Sequence, residues 1–183
     1  MSFIEIILLS LALAADAFSV GVAVGLNHGQ LSQVFRVALN FGLFQSLMSL
    51  TGITAGGLFL VYIKQWDHWV AFILLLIIGA KMILNYFRPG DAKKKASDPT
   101  KGVQLIGLSL AVSIDALAAG VGLAAVNTPI ILAVATIGIV ALIATLISML
   151  LAGNIGAKLG NRMTPVAGVV LIVLGIKILF DHL

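Results

Sequence analysis

The sequence predicts an all-α polytopic membrane protein whose six transmembrane helices form two inverted-topology three-helix repeats. Composition is the first observation behind this: 61% of the 183 residues are hydrophobic and 10% are charged, with a mean hydropathy of +1.16. A soluble domain of this size could not bury that much apolar surface. Span length is the second. About 20 residues at 1.5 Å rise cross a roughly 30 Å hydrocarbon core, and apolar runs of that length recur along the chain. The third is an internal repeat. Ser10–Gly25 and Ser109–Ala124, laid together at a shift of 99 residues, agree at 7 of 16 positions, including Asp16 with Asp115 and Gly21 with Gly120.

The first span is expected over 3–26, closed by Asn27-His28-Gly29. Its start has the look of a secretory signal, but Glu5 precedes the run, no Lys or Arg does, and the apolar stretch continues past Asp16 to Leu26. A retained helix is therefore expected. The second span, 36–62, is separated by Lys64–His68 from the third, 68–87. A polar linker over 88–102 follows, with Arg88-Pro89-Gly90-Asp91, then Lys93-Lys94-Lys95, Asp98-Pro99 and Lys101. Its Pro/Gly content and charge predict a flexible, solvated loop that sets topology. The fourth span, 103–126, turns at Asn127-Thr128-Pro129 into the fifth, 129–152, and Gly153–Arg162 leads to the sixth, 163–180. This makes a single transmembrane domain, 1–183, with a first repeat over 1–87, the linker, and a second repeat over 103–183.

Orientation follows from the basic residues. The 1–2, 3–4 and 5–6 connections hold eight of them (Arg36, Arg88, Lys93, Lys94, Lys95, Lys101, Lys158 and Arg162), whereas the 2–3 and 4–5 connections hold only Lys64. The odd-numbered connections are expected in the cytoplasm and both termini outside. With three helices per half, the second half enters from the opposite side, the construction of many secondary transporters. The third helices carry more of the repeat: Val70-Ala71 and Gly79-x-Lys81 match Val166-Ala167 and Gly175-x-Lys177 at a shift of 96. The middle helices share little beyond Gly42 and Gly138.

Two carboxylates are the anomaly. Each costs about 2.5–3.5 kcal/mol at mid-membrane even on lenient insertion scales. Asp16 and Asp115 sit half-way along their spans, so inverted repeats would bring them together near the midplane. Carboxylates supplemented by amide, hydroxyl or carbonyl oxygen suit Mg²⁺, Ca²⁺ or Mn²⁺. A soft-metal site would use Cys or clustered His; the chain has no cysteine, and His28, His68 and His182 fall at helix ends, where solvated surface positions are expected. Gln45, deep in the second span, and Ser19, three residues after Asp16, are the candidate further donors, with Ser113, Asn40, Thr145 and Ser148 as other interior polar groups. For each hydroxyl the plainer expectation is a hydrogen bond to the carbonyl of the preceding turn. Lys81 and Lys177 are expected to snorkel to the interface. The small-residue spacings Gly21-xxx-Gly25, Gly52-xxx-Gly56 and Ala116-xxx-Gly120 predict close helix packing and nothing about substrate.

The run Asp16–Ala23, Phe41-Gly-Leu-Phe-Gln45 and Ser113–Leu123 resemble the bacterial manganese efflux pump (MntP) family, as do Trp69–Leu84 and Gly175–Leu179. The resemblance covers essentially the whole chain, and the two Asp-centred motifs are its specific part. It implies a plasma-membrane (inner-membrane) exporter with Mn²⁺ as transported substrate rather than cofactor, Asp16 and Asp115 matching the family's functional aspartates. The chain departs from the family pattern at Ser49, at Asn154 and around Thr164-Pro165. No nucleotide-binding loop and no enzyme motif is present, and nothing in the basic residues suggests nucleic acid. The expected partners are Mn²⁺ and the lipid bilayer. An exporter of amino acids or other small solutes, and a scaffold whose aspartates only join helices, are the competing readings.

Overall fold

The computed structural model describes residues 2–55, 98–124 and 129–159, with further helical positions within 72–84 and 165–176. Among the described residues it is all helical, with four long helices: α1 Phe3–Gly25, α2 Leu31–Ala55, α3 Gly102–Ala124 and α4 Ile130–Leu159. Each is long and apolar enough to cross a membrane. They correspond to the first, second, fourth and fifth expected spans; 68–87 and 163–180 lie largely outside the described residues.

Local chemistry explains the ends. Ser2 and Glu5 form a capping box on α1: the Ser2 amide donates to Glu5 Oε2 at 2.9 Å and the Glu5 amide to Ser2 Oγ at 3.4 Å. This satisfies donors that a helix start leaves orphaned. Helix α2 starts at Leu31 rather than 36, because the Gln30 amide donates to Gln33 Oε1 at 3.3 Å and the Val34 amide to the Gln30 carbonyl at 2.9 Å. Hydropathy alone hides this polar first turn, and it makes Arg36 a helical residue rather than a loop one. Helix α4 likewise runs past 152, to Leu159.

Solvent preference is inverted relative to a soluble bundle. Leu39, Leu43 and Leu47 on α2, and Ile139, Ile143, Ile147 and Leu151 on α4, form exposed apolar stripes at four-residue spacing. Ser10, Gln45, Ser49, Ser109, Ser113, Thr145 and Ser148 are fully buried. Apolar surface outward and polar groups inward is the arrangement lipid demands.

Two apolar clusters reveal the helix directions. One gathers Ala17–Val24 positions of α1, Val34, Val37 and Phe41 of α2, Leu105, Leu108 and Val112 of α3, and Ala141 and Met149 of α4, with Leu171. The other gathers Ile6 and Leu13, Leu123, and Ala133 and Ile137, with Ile53 against it. The late half of α1 therefore shares an end with the early half of α3, so these two helices run in opposite directions. Helix α1 packs mainly on α4 and α3 mainly on α2, while α1 scarcely touches α2. Helices α2 and α4 cross at Gly42 and Gly138, where a Cβ on either would stand 2.9 Å from the other's carbonyl oxygen.

The α1–α2 turn, the end of the polar linker and Gly153 of α4 converge at one end. Gly29 and Gly153 pack backbone to backbone. His28 Nε2 lies 3.6 Å from Asp98 Oδ1, and Lys101 Nζ lies 3.7 Å from Asp98 Oδ2. Asp98 Oδ1 accepts from the Thr100 amide at 2.9 Å and from Thr100 Oγ1 at 2.6 Å; Arg36 Nη1 donates to the Thr100 carbonyl at 3.2 Å. Two expectations change here. The last residues of the linker are docked rather than free, and His28 is largely covered, its side chain 21% exposed, rather than a solvated surface histidine.

This junction is expected to respond to pH. Burial pushes the His28 imidazole below its ordinary 6.5, against the opposing pull of Asp98 and the Val24 carbonyl. Burial acts to raise Asp98, but the Thr100 hydrogen bonds and the charges of His28 and Lys101 outweigh it and hold the carboxyl below its ordinary value. An undocked His28 takes a proton more readily than a docked one. Docking is therefore fully stable above the ordinary histidine value and weakens as pH falls below it; the Asp98 contribution goes only at lower pH, in the carboxylate range. Amide exchange at Thr100 and Lys101, corrected for intrinsic rate, is expected to be less protected at about pH 5.5 than at about pH 7.5. The difference should vanish in His28→Gln; an unchanged difference would show that another group is responsible.

Candidate functional site

Asp16 and Asp115 lie between the two apolar clusters. On α1, Asp16 sits between Leu13 of one cluster and Ala17 of the other; on α3, Asp115 sits between Val112 and Ala119. Opposed helix directions and a matching position on each helix bring the two carboxyls together. Asp115 interacts with Asp16 both by charge and through a side-chain hydrogen bond. Asp115 Oδ1 also accepts from the Ala116 amide at 2.9 Å, which fixes the carboxyl close to its own backbone.

Gln45 of α2 completes the level. It is fully buried, and its Nε2 donates to the Leu13 carbonyl at 3.3 Å and to the Val112 carbonyl at 3.5 Å. Leu13 and Val112 each stand three residues before an aspartate, so one amide reaches both aspartate-bearing helices one turn away from the carboxyls. Its Oε1 is buried with no hydrogen-bond partner among the described residues.

The other candidates behave as isolated helix chemistry predicts. Ser19 Oγ donates to the Ala15 carbonyl at 2.9 Å, on its own helix. Ser113 Oγ donates to Ser109 at 2.7 Å, Thr145 Oγ1 to Ala141 at 2.8 Å and Ser148 Oγ to Thr145 at 3.0 Å, all to carbonyls one turn back. Asn40 Nδ2 donates to the Arg36 carbonyl at 2.8 Å, toward the charged end and away from the aspartates. Lys81, Lys177, His68 and His182 lie outside the described residues. The structure thus pairs Asp16 with Asp115, places the Gln45 amide on the main chain one turn before each, and leaves Ser19 engaged with its own helix, its hydroxyl lone pairs still able to accept.

Among the described residues no three His, Cys, Asp or Glu side chains form a metal-holding group. A cation here would meet two carboxylates plus neutral oxygens. That donor set suits a hard divalent ion, as neither soft sulfur nor imidazole is offered. Sequence reasoning overlooked the Leu13 and Val112 carbonyls as partners of Gln45. Their equivalence at the 99-residue shift was the available signal.

Residues 28–179 match the family model described as "Putative manganese efflux pump". A protein of Syntrophotalea carbinolica named "Putative manganese efflux pump MntP" is 43% identical over 184 residues, covering 100% of this chain and 98% of its own length. Proteins given the same name from Nitratidesulfovibrio vulgaris and Proteus mirabilis are 41% and 38% identical, across 100% of this chain and 92% and 96% of theirs. No solved structure matches the chain.

Proposed function

The chain belongs to the manganese efflux pump family MntP, and from that premise we propose that it is a secondary transporter exporting Mn²⁺ across the bacterial inner membrane. The ion binds between Asp16 and Asp115, with Gln45 Oε1 as a neutral donor and Ser19 as a weaker one. The observation that carries this reading is the meeting of two carboxyls from α1 and α3 within the membrane-spanning part of the fold.

Two carboxylates balance a divalent charge, and few ligands hold it weakly enough to let it leave, which transport requires as much as binding. Protons in place of the metal keep the site neutral on the return step, so the reading includes proton exchange. The chain is a single transmembrane domain of two inverted repeats, 1–87 and 103–183, joined by the 88–102 linker. Supporting this are the 99-residue repeat, the opposed directions of α1 and α3, and the reciprocal Gly42–Gly138 crossing. The basic connections face the cytoplasm and both termini lie outside. Alternating exposure of the midplane site then follows from movement of one body of helices against the other.

The test is flux through the purified full-length protein in proteoliposomes. Mn²⁺ movement is expected, dissipated or driven by an imposed pH difference, with competition by Mg²⁺, Ca²⁺ and Zn²⁺ ranking the selectivity. Amino-acid flux without Mn²⁺ flux would favour the solute exporter, and no flux from folded protein would favour the scaffold.

A further inference from the structure

We propose that Gln45 is a positioning residue that makes closure of the two aspartate helices conditional on an occupied site. This rests on the midplane ion site proposed above and adds a coupling device to it. Carbonyl oxygens only accept hydrogen bonds, so the end of the amide facing Leu13 and Val112 has to be nitrogen. The two contacts, at 3.3 and 3.5 Å, use one hydrogen for each helix. Oε1 is thereby turned away from both carbonyls, and it is buried without a partner among the described residues. A buried acceptor in that condition calls for a donor or a cation. Asp16 and Asp115, one turn further along the same helices, are where a cation would sit.

The near-symmetry of the fold is broken at this point. Relative to the Gly42–Gly138 crossing, the position on α4 equivalent to Gln45 is Ala141, which is fully buried and carries no polar group. A single side chain therefore serves both aspartate helices. With the cation present, Oε1 is paired and the amide hydrogens tie α1 to α3. Without it, the two donor bonds are what hold the amide among the described residues, and both are near the long end of the useful range. Either can then be given up, which frees one aspartate helix from the other.

Two variants separate this role from simple ligation. Gln45→Glu keeps an oxygen toward the ion and, when ionised, loses both donors; Gln45→Leu keeps the bulk and loses both functions. The readouts are Mn²⁺ affinity by calorimetry and hydrogen exchange of α1 and α3 peptides, on full-length protein in nanodiscs. In the parent, Mn²⁺ is expected to slow exchange across 10–25 and 109–124 together. Gln45→Glu should bind Mn²⁺ within a few-fold of the parent yet lose that joint protection at saturating metal. Gln45→Leu should weaken binding by about tenfold, the scale seen when a supporting group is removed from a metal site. Joint protection in both variants equal to the parent overturns the inference alone, leaving the ion site standing. A parent that binds no Mn²⁺ overturns both.

Discussion

Replacing either Asp16 or Asp115 with asparagine is expected to abolish manganese export. Each change removes one of the two charges that balance a divalent ion. The loss in apparent affinity should exceed the roughly 10–100-fold that follows removal of a merely supporting residue. Tolerance of a manganese-sensitive host, with protein abundance checked by blot, measures the effect; tolerance equal to the parent at normal abundance would sink the assignment. Stability discriminates further. Asparagine keeps the shape and removes a charge that is costly in the bilayer, so the variants should melt no lower than the parent. If the aspartates served only to join helices, the same variants would instead lose stability and tolerance together.

A second large effect is expected where α2 meets α3. A Cβ on Gly52 would overlap the Leu117 carbonyl oxygen and stand 2.9 Å from the Val121 nitrogen and 3.1 Å from the Gly120 Cα. A Cβ on Gly120 would overlap the Ser49 carbonyl oxygen and stand 2.9 Å from the Ser49 Cα. These obstacles are backbone, which cannot rotate aside, so the helices must part. Gly52→Val or Gly120→Val should cost about 1–3 kcal/mol or more by overpacking. Transport should fall as well, because Gly120 is just over one turn from Asp115 on α3. Gly122→Ala is the control: nothing lies within 4 Å of its added Cβ, and a mid-helix glycine replaced by alanine should gain roughly 0.5–1 kcal/mol. Thermal unfolding in detergent measures all three, and equal melting of Gly120→Val and Gly122→Ala would refute the packing argument.

Much of this was legible in the residues. Hydropathy locates four helices that the structure describes, and the 99-residue repeat by itself singles out Asp16 and Asp115 as a pair. Opposed directions for α1 and α3 follow from the same counting of spans. What the sequence concealed has more than one cause. The burial of His28 and the docking of Asp98 and Thr100 depend on partners 60 to 70 residues away, which hydropathy windows cannot see, and the first turn of α2 is held by local polar hydrogen bonds that a hydropathy scale scores as loop. Gln45 was visible as an isolated buried amide, but its two partners are main-chain carbonyls, which leave no trace in side-chain identity. Span counting also says nothing of which helices touch: among the described helices, α1 packs mainly on α4, and α2 on α3 and then α4, a crossed pairing between early and late helices.

That crossed pairing bears on how the chain is made. Helices α1 and α2 leave the ribosome first, yet offer each other almost no surface. The close-packing glycines at 21, 25, 42 and 52 meet α3 or α4, whose synthesis ends some hundred residues later. The early helices must wait in lipid with their small-residue faces unmatched, inserted but not assembled, until the second half arrives. Helices α1 and α2 are thus obligate partners of α3 and α4 rather than a pair that folds on its own, and a ribosome stalled in the linker leaves quality-control proteases a product whose α1 and α2 have inserted without their packing partners.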